Sequence, residues 1–339
     1  MRTAWSASYR QQETARSARP ENYPEDKEPA RADFVVLSSA MNSRAQIAML
    51  PDGRRLHLHD GPIDLIVEAF GSAPEVETAY RAACARFVTV LDELCAELAH
   101  LRQACRPEQP WPDGAVARRM VAAVMPYTPQ YFITPMAAVA GAVAEEILAA
   151  MVATAELSRA YVNDGGDIAL HLNDGEKFTI GMVERPDRPS LFGKTAIAAH
   201  DPVRGIATSG WRGRSFSLGI ADAVTVLADR AAAADAAATI IANAVDLPRH
   251  PSILRVPACE LAPDSDLGDR PVTQAVGTLS NDEVEQALSA GARTAELLLR
   301  MGLVRAAAIC LQGNTRVVGT VGGLKLVEGP EHERILLHA

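Results

Sequence analysis

The sequence has no long run of lysine and arginine, and its 42 acidic residues outnumber its 33 basic ones, giving a formal net charge of -9. A nucleic-acid-binding surface is therefore not expected, because such surfaces are strongly basic. The start of the chain has no apolar stretch of signal-peptide length, and no run of about 18 apolar residues stands out as a membrane span. These absences predict a soluble, cytoplasmic protein that binds neither nucleic acid nor a membrane.

Paired cysteine spacings are also missing. The number of cysteines is odd, and no two of them form a CxxC pair. A disulfide framework or a thiolate zinc site is therefore not expected, and small buried side chains are the simpler interpretation. The five are Cys84, Cys95, Cys105, Cys259 and Cys310.

The first part of the chain differs in character from the rest. Residues 1–32 are rich in charge and carry Pro20, Pro24 and Pro29, so they offer little apolar surface to offset the entropy cost of ordering. We expect a flexible arm there. The chain as a whole is 48% apolar, enough for one large core or two smaller ones. Residues 33–339 are therefore predicted to form one α+β domain, or two intimately packed lobes.

Turn residues and apolar periodicity predict the secondary structure. Pro51-Asp52-Gly53 and Asp60-Gly61-Pro62 separate three short apolar runs, which indicates a β-meander. Later strands are expected at 159–163, 168–172, 177–183, 195–200 and 223–228, helices at 134–148, 231–245 and 281–301, and a closing hairpin at 306–311 and 315–321. This order lacks a regular βαβ rhythm and favours an α+β fold over a doubly wound sheet.

Two segments have the pattern of a capping box. Ser72 with Glu75 precedes an apolar face that recurs at helical spacing and ends near Cys105. Ser280 with Glu283 repeats the pattern before a second amphipathic stretch. In such a box the hydroxyl and the carboxylate each bind a backbone amide of the first turn. We therefore expect a long helix to begin at each of the two serines.

Three short signatures combine small residues with oxygen-bearing side chains. They are Asn163-Asp164-Gly165-Gly166-Asp167, Ala207-Thr208-Ser209-Gly210 and Ala234-Asp235-Ala236-Ala237-Ala238-Thr239. Small residues let a backbone approach a ligand closely, and carboxylates and hydroxyls are ligands for divalent cations. The signatures predict a site for a phosphate or a divalent cation.

The same segments carry a family resemblance. The ordered set PMAAVAGAVAE, VNDGGDI, IATSGW and ADAVTVLADRAAAADAAAT, which spans roughly Ile63 to Val245, resembles the ApbE superfamily, whose founding enzymes are FAD:protein FMN transferases. Within it the chain is most similar to an ApbE-like branch of unknown function. The resemblance implies an α+β fold of ApbE type, with mixed or antiparallel sheets and packed helices, and a transferase-like enzyme.

The resemblance also implies a magnesium site. In the transferases the aspartate and threonine of the ADAxxT motif hold the ion together with a carbonyl of the alanine-rich helix. These positions map onto Asp235, Thr239 and, approximately, Ala137. The spacing agrees, because residues four apart share a helical face, and oxygen donors of these kinds suit magnesium.

The remaining motif residues map onto the cofactor side. The resemblance implies FAD or another flavin there, or another small anionic ligand or nucleotide. Trp211 with Arg212 and Arg214 could stack on a ring and clamp an anion, or form an ordinary loop, and Asp167 or Asp222 is the candidate catalytic base. The implied backbone and side-chain contacts come from Asn163, Gly165, Gly166, Ser209 and Gly210.

Two departures argue against classical FMN transfer. The transferases have GKGYAVD where this chain has Ala140 to Glu145, so the flavin-side lysine is absent, and the histidine-bearing segment is shortened to Ser217–Asp222. The leading hypothesis is therefore a magnesium-assisted transferase or hydrolase acting on a flavin-like, nucleotide-like or other anionic substrate. The alternative is a non-transferase descendant that binds a small anionic metabolite or cofactor. One variant of this alternative is an accessory role in the catabolism of N-heteroaromatic acids. A homo-oligomer is left open.

Each signature also has a simpler explanation. Gly165-Gly166 is compatible with a tight turn between strands that requires positive φ. Asp235 could be an acid favoured by the helix dipole, with Thr239 as a helix-face hydroxyl. His57 and His59 would share one face of a strand, where they could bind a metal or simply remain partly exposed. The sequence leaves these alternatives open.

Overall fold

The structure is a computed structural model that describes residues 44–183, 191–320 and 325–326. Its strands are β1 Gln46–Met49, β2 Leu56–Asp60, β3 Ile63–Phe70, β4 Arg159–Asp164, β5 Asp167–Leu172, β6 Lys177–Val183, β7 Leu191–Ala198, β8 Gly205–Ser209, β9 Ala223–Ala228, β10 Ile253–Pro257, β11 Pro271–Val276, β12 Ala306–Leu311, β13 Asn314–Gly319 and β14 Lys325–Leu326. Nine strands form one antiparallel sheet in the order β1-β2-β3-β4-β5-β8-β9-β12-β13, while β10-β11 and β14-β7-β6 form two smaller sheets.

The helices lie between and after the strands. They are α1 Ala73–Ala96, α2 Leu98–Leu101, α3 Ala115–Val124, α4 Val139–Val152, α5 Ala231–Ala244, α6 Ala258–Leu261 and α7 Asn281–Arg300, with 3-10 turns at Met125–Tyr127 and Pro135–Ala138. An antiparallel sheet with helices packed on it confirms the expected α+β class.

The helices cover one face of the large sheet. Leu58, Leu65 and Val162 point inward from successive strands and pack with Phe87 of α1 and Ile147 of α4 in one core. These strands alternate buried with more exposed positions, as expected where one face of a sheet is buried. The three-stranded sheet β14-β7-β6 covers part of the other face, where Ile197 of β7 packs with Leu170 and Leu227.

Helices α4 and α5 cross where both begin. A methyl group at Gly141 would lie 2.4 Å from the carbonyl oxygen of Ala231, so only glycine allows this approach. Asp235 of α5 accepts a hydrogen bond from the Gly141 amide at 3.1 Å, and Glu145 of α4 accepts one from the Ala232 amide at 2.9 Å. Neither helix has a side-chain cap at its own N-cap residue. Each helix therefore supplies the carboxylate that binds the other's free amides and interacts favourably with its dipole.

Arginines reinforce the crossing from outside. Glu145 Oε2 also accepts hydrogen bonds from Arg230 at 2.7 Å and from Arg119 of α3 at 3.2 Å. The neighbouring Glu146 joins Arg119 to Arg86 of α1. Four helices are thus connected through two adjacent carboxylates, and charge-assisted bonds of this kind are stronger than neutral ones.

The segment that contains α4 is unusually apolar. Pro135–Val152 has 18 residues with a mean hydropathy of 1.6, so by length and composition alone it passes for a membrane span, which we did not expect from the sequence. Half of it is buried inside the protein. Its apolar surface, from Ala142 to Met151, contributes to the main core, and this packing explains the composition without a membrane.

Several sequence expectations need correction. Ser72 makes no side-chain capping bond, and the Glu75 carboxylate accepts a hydrogen bond from the Glu156 amide at 2.7 Å. The first helix stops at Ala96 and a short separate helix follows, instead of one helix reaching Cys105. The capping box of Ser280 and Glu283 is confirmed, as is the closing hairpin. Helix α3 and strands β10 and β11 were not foreseen, and the predicted arm lies outside the described residues.

The α4–α5 crossing gives a first prediction. Gly141→Ala should lower the free energy of unfolding by about 3 kcal/mol, although alanine is intrinsically better than glycine in a helix by about 1 kcal/mol. The reason is that the new methyl group meets backbone atoms that cannot rotate away. Urea denaturation measures the change.

Gly291→Ala in α7 is the matched control, since the closest atom there belongs to the Val245 side chain. That loss should be smaller, because a side chain adjusts more readily than a backbone. Equal losses in the two variants would contradict the claim that the backbone contact at Gly141 fixes the crossing.

Candidate functional site

The GGD signature forms the turn between β4 and β5. Asp164 and Asp167 are paired residues of the two strands, and Gly165 and Gly166 alone connect them, with φ of 60° and 113°. The Gly166 amide donates to Asn163 Oδ1 at 2.8 Å. Positive φ at two consecutive positions is typical of a two-residue hairpin turn. The turn geometry thus requires both glycines by itself, and the Gly166 amide already has a partner within the turn.

Three carboxylates lie together beside this turn. Asp164 and Asp167 are directly opposite each other in the register, hence on the same face of the sheet, and Asp235 of α5 is close enough for their charges to raise its pKa. Asp164 is 7% exposed. Asp167 and Asp235 keep some solvent contact, although protein surrounds both of them. The turn and helix α5 therefore bring Asp164, Asp167 and Asp235 together. We call these three residues the carboxylate cluster.

Burial shifts the acidity of all three groups. It raises the pKa of Asp167 to about 7, although Asp167 Oδ1 accepts the Thr208 amide at 3.1 Å and Arg214 contributes positive charge. Burial, and then the charge of Asp167, raise the pKa values of Asp164 and Asp235 well above the ordinary range. Desolvation and like charges both disfavour the ionised form. A cation would relieve both effects.

Two of the predicted metal residues lie in α5 and the third in a turn that packs against it. Thr239 lies one turn after Asp235 and is half-buried, and its hydroxyl has no hydrogen bond to any residue in the described part of the chain. Ala137 lies in the 3-10 turn Pro135–Ala138, which packs against α5. The Thr134 hydroxyl holds the start of that turn by donating to Asp266 at 2.5 Å. The region after Pro248 therefore contributes to the site, although no motif marks it.

The predicted metal residues supply only part of the ligands that a metal ion needs. Within residues 44–183, 191–320 and 325–326, no group of three or more histidine, cysteine, aspartate or glutamate side chains is placed to hold one ion. Asp235 with the Thr239 hydroxyl and a carbonyl would leave several positions for water or a phosphate. That is the coordination magnesium prefers, so the residues fit a magnesium ion bound partly through water.

The SG signature ends β8 next to the same cluster. Ser209 is its last residue, and Thr208, one position earlier, contacts Asp167. Gly210 has φ of 155°, and a methyl group there would lie 2.5 Å from the Asp222 carbonyl oxygen, so close backbone approach requires the glycine. The Ser209 hydroxyl has no hydrogen bond to the described residues. Ser209 is therefore free to contact a ligand.

Trp211, Arg212 and Asp222 form a separate hydrogen-bonded group. Asp222 Oδ1 accepts hydrogen bonds from Trp211 Nε1 at 3.2 Å and from Arg212 Nε at 2.6 Å, while Oδ2 accepts one from the backbone amide of Gln312 at 2.6 Å. The Arg212 guanidinium also lies over the Trp211 ring, 4.3 Å from its centroid. Both oxygens of the buried Asp222 are thus engaged, whereas Asp167 has the pKa near neutrality that suits a general base.

The two histidines of β2 lie on the opposite face of the sheet from Asp164. The ring centroids of His57 and His59 are 6.3 Å apart, and His57 Nε2 contacts Asp64 Oδ1 at 2.6 Å. Both side chains are partly exposed, so the interpretation as two partly exposed strand residues accounts for them without a metal.

Comparison with known proteins identifies the family. A family model described as AbpE bacteria matches residues 47–317. The chain belongs to this family. The match runs from within β1 to within β13 and so includes the large sheet and the site, which confirms the resemblance found in the motifs.

Curated relatives match part of the chain. The UPF0280 protein of Methanopyrus kandleri is 38% identical over 133 residues, 39% of this chain and 50% of that protein. The UPF0280 protein of Methanococcoides burtonii is 40% identical over 116 residues, 34% of this chain and 47% of that protein. The chain spans about half the length of these curated relatives.

Solved structures of flavin transferases are similar at low identity. A mutant of the flavin transferase ApbE from Vibrio cholerae has a TM-score of 0.41 and 11% identity, over 83% of this chain and 98% of that chain. The flavinyl transferase ApbE from Pseudomonas stutzeri has a TM-score of 0.37 and 12% identity, over 82% and 94% of the two chains.

Two residues of the site had no role assigned from the sequence, although Asp164 lies within the GGD signature. Asp164 continues the inward-facing positions of Ala160 and Val162 in β4, so an aspartate at the end of an apolar inward series was an available signal. Glu145 holds the start of α5 from 87 residues away, and no local pattern reveals such a contact.

The raised pKa of Asp167 gives a second prediction. Asp167→Asn should raise the free energy of unfolding near pH 8, and the gain should shrink as the pH falls towards about 4. In the wild type the folded protein keeps a proton that the unfolded chain loses, so its stability decreases as pH rises between the unfolded pKa and about 7. One pKa unit is worth about 1.4 kcal/mol, and we expect a gain of at least about that size.

Asp174→Asn, in the exposed turn before β6, is the control, and its stability should follow the wild-type pH dependence. Urea denaturation across this pH range distinguishes the two variants. A wild-type pH dependence in Asp167→Asn would show that Asp167 titrates normally.

Proposed function

We propose that the protein is a magnesium-assisted transferase or hydrolase acting on a phosphate-bearing substrate of flavin or nucleotide type. The proposal rests on the carboxylate cluster and on Thr239, which lies one helical turn after Asp235 and whose hydroxyl has no hydrogen bond to the residues that the structure describes. Membership of the family supports it.

Electrostatics favours a cation for such a substrate. A phosphate approaching Asp164, Asp167 and Asp235 would add negative charge to carboxylates that burial already disfavours in their ionised form. A divalent ion would neutralise the carboxylates and attract the phosphate at the same time. Asp235, Thr239 and the Ala137 carbonyl would hold it. Asp235 is oriented for this by the Gly141 amide, which binds one of its oxygens.

Asp167 is the proposed base. With a pKa of about 7 it is present in both protonation states near neutral pH, which is the condition for efficient proton transfer. The Thr208 amide fixes Oδ1 and leaves the second oxygen for the proton of an attacking water or hydroxyl. Ser209, next along the strand, could position the substrate with its hydroxyl, which has no hydrogen bond to the described residues.

The alternative function is anion binding without transfer. Asp235 accepts a hydrogen bond from the Gly141 amide, so capping of α4 is by itself a sufficient role for this residue. In addition, Ala140 stands where the transferases carry lysine. In that case the site would hold a small anionic metabolite or cofactor. Classical FMN transfer to a protein is not part of either proposal.

A thermal-shift titration tests the proposed function. We expect FAD or ADP to raise the melting temperature only when magnesium is present, since a ligand at about 100 times its Kd adds about 2.7 kcal/mol of stability. Asp235→Asn should remove most of this response, and Thr239→Val, which keeps the shape of the side chain, should weaken it.

Asp229→Asn is the matched control, because Asp229 precedes the same helix but forms an exposed ion pair with Arg305, which contributes little. Its ligand response should equal that of the wild type. Ligand responses that do not depend on magnesium would favour the alternative function over the magnesium-assisted one.

A further inference from the structure

One arginine extends over the carboxylate cluster from the neighbouring loop. Arg214 Nη2 donates to the Pro62 carbonyl oxygen at 3.2 Å, and a methyl group on Gly165 would lie 3.2 Å from Nη1. The guanidinium therefore lies across the GGD turn. Its positive charge acts on both Asp164 and Asp167 and opposes the rise of their pKa values.

Arg214 is not committed to a carboxylate by contact. It forms no ion pair within 4.0 Å with the acidic residues that the structure describes. Arg212, two positions earlier, is held by Asp222 at 2.6 Å and stacked on Trp211. Of these two loop arginines, only Arg214 can thus change partners without breaking a buried ion pair.

The loop is fixed at both ends and exposed between them. Gly210 approaches the Asp222 carbonyl so closely that no side chain fits, and Gly219 approaches the Ala242 carbonyl in the same way. Residues 213–216 are exposed. Arg214 can therefore change its orientation while the loop keeps its anchors.

We propose that Arg214 is the counter-ion of the carboxylate cluster in the metal-free protein and the residue that binds the ligand's phosphate once magnesium is bound. This inference rests on the proposed function. A divalent cation neutralises the carboxylates more strongly than one guanidinium at longer range. The guanidinium is then available to a phosphate, which it can bind through two parallel hydrogen bonds.

The two roles predict opposite changes in one variant. Removing the charge with Arg214→Gln should strengthen magnesium binding about fivefold, because a nearby positive charge no longer repels the ion. The same variant should bind ADP about tenfold more weakly at saturating magnesium, because the phosphate loses its bidentate partner. A residue that served only to stabilise the loop would not strengthen magnesium binding when replaced.

Calorimetric titration of the full chain, first with magnesium alone and then with ADP at saturating magnesium, measures both affinities. Arg214→Lys keeps the charge and should retain the wild-type magnesium affinity while losing part of the ADP affinity. Arg293→Gln, at an exposed position of α7, should match the wild type in both titrations.

Unchanged or weaker magnesium binding by Arg214→Gln overturns the counter-ion role. Undiminished ADP affinity in that variant overturns the phosphate role. The phosphate role also fails if the wild type binds magnesium but not ADP. A wild type that does not bind magnesium contradicts the proposed function itself. The two failures are therefore distinguishable.

Discussion

The exchange of carboxylates between α4 and α5 is the interaction on which the rest of the site depends. Gly141 allows the two backbones to touch, Glu145 binds the start of α5, and Asp235 binds the start of α4. Each acid satisfies amides that a helix cannot satisfy internally. Because Asp235 is held in this way, its other oxygen has a defined position relative to the GGD and SG turns.

The same pair of helix-capping contacts places a third carboxylate in a buried position next to two others. Asp235 is brought beside Asp164 and Asp167, and burial raises the pKa values of all three. Such an arrangement lowers stability in the absence of a compensating cation, and strained or costly features of this kind are concentrated at functional sites. The proposed binding of a cation, the proposed binding of phosphate and the proposed role of Arg214 all start from this one electrostatic conflict.

Local patterns predicted most of the strands and the motif residues. Short runs separated by turn residues identified β2, β3 and the closing hairpin, and the Ser280 capping box formed as expected. The Ser72 box did not form, since the Ser72 hydroxyl caps no amide and the Glu75 carboxylate binds the competing amide of Glu156, 81 residues away. Spacing could not reveal that competition.

The motifs indicated where the site would be, but not its electrostatics. Asp167, Ser209 and Asp235 were expected in one site from their family resemblance, whereas Asp164 and Glu145 act through contacts between distant elements. Asp222 was expected as a possible base, and the structure gives both of its oxygens hydrogen-bond partners. Burial and long-range contacts determine these properties, and neither can be inferred from residue type and spacing alone.

The number of protons released when magnesium binds tests the central claim most directly. Calorimetric titrations at about pH 6.5, in buffers that differ in ionisation enthalpy, give this number. With the pKa of Asp167 at about 7 and those of Asp164 and Asp235 raised well above the ordinary range by burial, the carboxylate cluster should still hold protons at that pH, and the ion should displace about one proton or more. Magnesium binding without proton release would contradict the account.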